Sequence, residues 1–126
     1  MKKILLFLII VLSFEQFCFA ENNTQQQQTK QEQLNIFQGV LDPRHYKVVD
    51  CTVEINHISI TIEPLYHFST QYQIKEAADR LVRIMNNTFP GRSITIWLQK
   101  NLGSGKVRVY GKGYYDGYTK VITEAY

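Results

Sequence analysis

Between Lys106 and Lys120 four cations, Lys106, Arg108, Lys112 and Lys120, accompany a single acid, Asp116. Tyr110, Tyr114, Tyr115 and Tyr118 are interleaved with them, and Trp97 stands in the apolar-alternating segment just before. Phenol and indole rings give rigid contact area with a polar handle, and aromatic residues are enriched in the buried centres of protein interfaces. The same rings can stack on sugars, and the cations can attract a polyanion. This chemistry is that of binding rather than catalysis. The candidate binding residues are Trp97, Arg108, Tyr110, Lys112, Tyr114, Tyr115, Tyr118 and Lys120. The expected occupant is a protein partner, including an enzyme to be inhibited. A glycan or polyanion is the alternative, and a homodimer paired through the Trp97 face is also open.

The remaining reactive residues make weaker patterns. Gly103-Ser104-Gly105-Lys106 resembles the end of a phosphate loop, but Lys100 stands where that loop has Gly and Val107 where it has Ser or Thr. The segment after it alternates like a strand, so a hairpin turn is expected there. His45, His57 and His67 are spaced by twelve and ten residues, which matches no local zinc pattern. Asp50 and Glu63 are expected opposite one another on a hairpin, where paired carboxylates could divide acid and base roles. A solvated polar face explains them as well. A small envelope enzyme is therefore the third reading. No catalytic residue, metal ligand or cofactor is assigned.

These residues need a scaffold, and its elements show in the apolar periodicity. Val49, Cys51, Val53 and Ile55 alternate with polar residues, as do Ile58, Ile60 and Ile62. Period two marks half-buried strands. A two-residue turn at Asn56-His57 would pair Ile55 with Ile58, Val53 with Ile60 and Cys51 with Ile62, and would set His67 opposite Tyr46. Thr70 and Gln73 have the spacing of a helix capping box. Ile74, Ala77, Ala78, Leu81, Val82 and Met85 then recur at helical spacing, and Pro90-Gly91 ends the run. Strands are expected over 93–99 and 106–111, with a further one over 118–123. The predicted fold is α+β: a two-layer sandwich with an antiparallel sheet of four to five strands in the order β-β-α-β-β, extended by the optional last strand, and one helix on one face.

Residues 1–20 have the three parts of a secretory leader: Lys2-Lys3, an apolar run over 4–14, and Cys18-Phe19-Ala20 before the expected cut. The apolar run is about half the roughly 20 residues a spanning helix needs. A cleaved leader and a periplasmic or secreted product without a membrane span are expected. The remaining 106 residues carry a net charge of +2, too mild to suggest a nucleic acid partner. Cys51 is the one cysteine left, and the strand register places it in the core. Residues 21–33 contain only Glu, Asn, Thr, Gln and Lys. They are expected to be a disordered linker before a single domain over 34–126.

Overall fold

Ile58, Ile60 and Ile62 point to one side of strand β2 (His57–Pro64), and Ile94, Ile96 and Leu98 to the same side of strand β3 (Ser93–Gly103). All six are at most 1 % exposed. The structure, a computed structural model, describes residues 23–126. The expected leader lies outside the described residues. Strand β1 (Tyr46–Val53) precedes β2, helix α2 (Gln71–Thr88) joins β2 to β3, and β4 (Lys106–Tyr115) and β5 (Val121–Ala125) follow. Helix α1 (Asn23–Val40) comes before them all. The class is α+β, and the five strands lie in sequence order across one sheet.

The sheet is mixed, not antiparallel as the sequence suggested. Strands β2 and β3 run parallel, while the other three neighbouring pairs are antiparallel. The cause is the connection. Eight residues of β2 cover about 26 Å at about 3.3 Å per residue. The 18 residues of α2 cover about 27 Å at about 1.5 Å per residue. The helix therefore returns the chain to the end where β2 began, and β3 must run alongside β2 in the same direction. The capping pair forms: the Gln73 amide donates to Thr70 Oγ1 at 3.2 Å, and the Gln73 side chain accepts from Ser69 N–H at 2.7 Å. Ala77, Ala78, Leu81, Val82 and Met85 face the sheet.

A second helix is the other departure from expectation. Residues expected as a linker form much of α1, whose later residues Ile36 and Phe37 are buried in the common core along with Leu41 just beyond it. Glutamine, lysine and glutamate are good helix formers, so a helix anchored at its apolar end can extend back through them. Phe37 meets Phe89 edge-on at 5.3 Å, which joins the two helices. Helix α1 also guards the free edge of β1. The Gln38 side chain donates to Tyr46 O at 2.9 Å and accepts from Val48 N–H at 2.8 Å. Lys30 donates to Cys51 O and pairs with Asp50 at 2.8 Å. An edge strand whose main chain is engaged in this way is a poor template for stray pairing. Among the described residues, no helix is long and apolar enough to cross a membrane.

The first hairpin differs in register from the two-residue turn. Its tip is Glu54-Ile55-Asn56, closed by Glu54 N–H to His57 O at 2.8 Å. Val53 pairs with Ile58 and Cys51 with Ile60. The slide is by two residues, which preserves face, so Val53, Ile58, Ile60 and Ile62 still face inward and Cys51 stays buried. Val49, also expected inside, falls at a bulge and is 38 % exposed, and Val48 is buried instead. Ile55, expected inside, is 51 % exposed. The tip lacks the Gly that a two-residue turn favours. A bulge at Val49 sets Lys47, not Asp50, opposite Glu63, and Tyr46 opposite Pro64 rather than His67. At the second hairpin Ser104 and Gly105 both have positive φ, 54° and 75°, as a two-residue primed turn requires. The phosphate-loop resemblance is thereby a hairpin turn.

Helix α2 approaches β4 closely because β4 presents glycines to it. A Cβ on Gly113 would lie 2.8 Å from Ala78 O and from Val82 Cγ2. The first of these is backbone and cannot swing aside. Gly113→Ala should lower stability by about 1–3 kcal/mol, the usual range for overpacking, seen as a lower urea midpoint. A midpoint at or above that of the native chain would mean that the helix does not sit this close.

Candidate functional site

Both helices pack on the same side of the sheet, where the inward isoleucines meet them. Alternation then fixes what the other side carries. Thr52, Ser59, Thr95, Tyr114 and Ile122 form one cross-strand row, and Thr61, Trp97, Lys112 and Glu124 form the next. Lys112 Nζ lies 4.7 Å from the centre of the Trp97 ring, a cation–π contact. Beyond a bulge at Tyr110, Val107 and Val109 continue this face along β4 and are 55 % and 40 % exposed. Ile122 on β5 is also exposed. No described element lies over this open face.

His57 sits at one end of it. Its Nδ1 is 2.6 Å from Ser93 Oγ and its Nε2 is 3.1 Å from Thr95 Oγ1, and its ring is 6.5 Å from that of Tyr114. A serine beside an imidazole invites comparison with a nucleophile and its base. Here Ser93 Oγ also donates to Asn56 O at 3.1 Å, and the far nitrogen meets a hydroxyl instead of an orienting carboxylate. Thr95 is buried. The cluster ties the ends of β2 and β3 together and anchors the first hairpin tip, which Arg92 Nε also holds through Ile55 O at 3.2 Å.

The eight candidate binding residues divide among three places. Trp97, Lys112 and Tyr114 share the open face. Arg108 and Tyr110 turn to the helix side, because Arg108 has the opposite parity and the bulge carries Tyr110 with Gly111. Tyr115 also packs inward at the other end of the sheet, and its hydroxyl donates to Tyr118 O at 2.6 Å. Tyr118 and Lys120 are exposed in the β4–β5 loop. Asp116 Oδ1 accepts from the amides of Tyr118, Thr119 and Lys120, and these bonds hold its carboxyl below the usual range.

The structure adds a cleft that sequence patterns did not single out. It lies on the helix side at the end where β1 begins and β2 finishes. Its wall is a chain of rings: Tyr46 to Tyr66 at 5.6 Å, Tyr66 to Phe68 at 4.8 Å, and Phe68 to Tyr110 at 6.0 Å. His45 and His67 both line it, as their common position at this end suggested, although the register that placed them there is changed. His45 Nδ1 is 3.5 Å from Asp42 Oδ2. Among the described residues, no three His, Cys, Asp or Glu side chains converge as metal ligands. The Tyr46 and Tyr66 hydroxyls are 2.7 Å apart, and burial together with this bond raises the Tyr66 phenol far above its ordinary value. Burial, helped by the Glu63 charge, pushes Tyr110 up to about 12. Burial likewise pushes the Cys51 thiol up to about 11, which leaves it inert at neutral pH.

These three groups titrate higher in the folded chain than in the unfolded one, whose ordinary values are 10.0 for Tyr and 9.0 for Cys. Their contribution is full below pH 9 and is lost as pH rises through the folded values. The urea midpoint should therefore hold from neutral pH to 9 and fall between 9 and 12. The combined Tyr66→Phe and Tyr110→Phe variant should fall less steeply. An unchanged slope would mean that the cleft phenols are not protected.

No protein-family model matches this chain, nor does any curated protein or solved structure.

Proposed function

We propose that this protein is a small exported binding protein without catalytic activity. It engages a protein partner in the cell envelope or outside the cell, or inhibits an enzyme there. The contact surface is the open sheet face centred on Trp97, Lys112 and Tyr114. The observation that carries this reading is the one-sided layering. Both helices cover one face, and the other presents Trp97 and Tyr114 with Val107, Val109 and Ile122 exposed beside them. Contiguous apolar surface on a soluble domain usually marks an interaction site.

Size and charge favour a protein over the alternatives. Five strands at about 4.8 Å spacing and about seven residues at about 3.3 Å each give roughly 550 Å² of flat face. That is below the roughly 800 Å² per partner of a standard interface and suits a reversible contact. A central tryptophan ringed by polar side chains is the usual layout of an interface hot spot. Lys112 on this face pairs across strands with Glu124. The base beside Trp97 thus has an acid as its neighbour, whereas a polyanion would favour a face of one sign.

Photo-crosslinking tests this reading. A benzophenone side chain placed at Val109 or Ile122 should yield a discrete heavier adduct from the exported fraction, in which export also predicts a chain starting at Glu21. Placement at Lys75 or Arg83 on α2 should yield none. Trp97→Ala together with Tyr114→Ala should abolish the adduct. Adducts from the helix positions alone, no adduct from the sheet face, or an adduct that survives the double substitution would each refute the assignment.

A further inference from the structure

The cleft beside α2 has a different chemistry from the open face and lies on the opposite side of the sheet. It has two lobes of about 520 and 540 Å³ that share Tyr66, His67 and Phe68. Each lies within the range of about 300–1,000 Å³ typical of small-molecule sites. One lobe runs between His45 and the α2 residues Gln73, Glu76 and Arg80. The other runs toward Lys100 and Arg108 on the extended β3–β4 arm and is backed by Tyr110.

The polar groups are mixed in sign and kind. Glu76 is paired with Arg80 at 3.3 Å, and Glu63 Oε1 accepts the Asn101 amide at 2.8 Å. Carboxylates accept, guanidinium and ammonium groups donate, and the Gln73 amide does both. A polyanion would meet two carboxylates here, and a wholly apolar ligand would strand the charged rim. The ligand class that uses every part is a chain of hydroxylated rings. Its C–H faces lie against aromatic faces, and each hydroxyl can both donate and accept. The shared aromatic floor joining two lobes suits more than one ring.

We propose that this cleft binds a short neutral oligosaccharide, stacked on Tyr66, Phe68 and Tyr110 and hydrogen-bonded by Gln73, Glu76 and Arg80. This site is independent of the protein-docking face, so each can fail without the other.

The test is an amide-resolved NMR titration of the folded protein with two neutral tetrasaccharides, chitotetraose and maltotetraose. Concentrations should reach about 10 mM, well above a millimolar Kd. At least one should give saturable shifts confined to the cleft, around Tyr66, His67, Phe68, Arg80 and Tyr110. Phe68→Ala should weaken binding by about tenfold or more, as loss of an aromatic platform would. Arg80→Ala, an exposed change that spares the core, should weaken it as well. Trp97→Ala should leave it unchanged, and added salt should have little effect. No saturable shift with either sugar, shifts centred elsewhere, or binding indifferent to both cleft substitutions would overturn the proposal. So would binding of dextran sulfate alone that vanishes with salt.

Discussion

Six side chains determine the layout of this domain. Ile58, Ile60 and Ile62 lie beside Ile94, Ile96 and Leu98 in parallel register, and α2 lies across them. At about 25 cal/mol per Å² of apolar area, each such burial contributes on the order of 2 kcal/mol. The stripe can be dry only if one continuous helix covers it. That helix is the crossover itself, and its length matches that of the strand it returns along. The parallel pair, the side occupied by the helices and the exposure of the other side all follow from this one contact.

Two further contacts complete the covered side. Gly111 and Gly113 let α2 approach β4 at a distance no larger residue would permit. Helix α1 adds Ile36 and Phe37 over the β1 end and engages the β1 main chain through Gln38 and Lys30. Core formation is thus confined to one face. The other face is free to carry side chains chosen for contact, and the cleft at the end of the sheet is lined by rings at the margin of the core, from buried Tyr46 to half-buried Tyr110.

Much of this was legible in the residues. Strict alternation marked β2 and β3, and the Thr70–Gln73 spacing marked the start of α2. Cys51 was correctly placed inside, because a two-residue slide of register preserves face. Strand direction does not show in the alternation, since period two is the same for parallel and antiparallel pairing. It shows only in the matched lengths of the strand-helix-strand run, which the antiparallel expectation left unused. Helix α1 was hidden because its early residues have no apolar stripe and depend on anchors further along. The division of the tyrosine–lysine ribbon was partly legible. Lys112 and Tyr114 share a parity that Tyr115 does not, while Gly111-Lys112-Gly113 marks a bulge or bend without showing that it turns Tyr110 inward. The cleft draws on residues near 45, 67, 76 and 110, and no local spacing could assemble those.

The central claim is that one face of the sheet is sealed and the other open to solvent. Methyl NMR in the presence of a soluble paramagnetic agent tests it most directly. The methyls of Val107, Val109 and Ile122 should be strongly attenuated, and those of Ile58, Ile60, Ile62, Ile94 and Ile96 should be untouched. Attenuation of the isoleucines, or protection of Val107, Val109 and Ile122 in the isolated protein, would contradict the account.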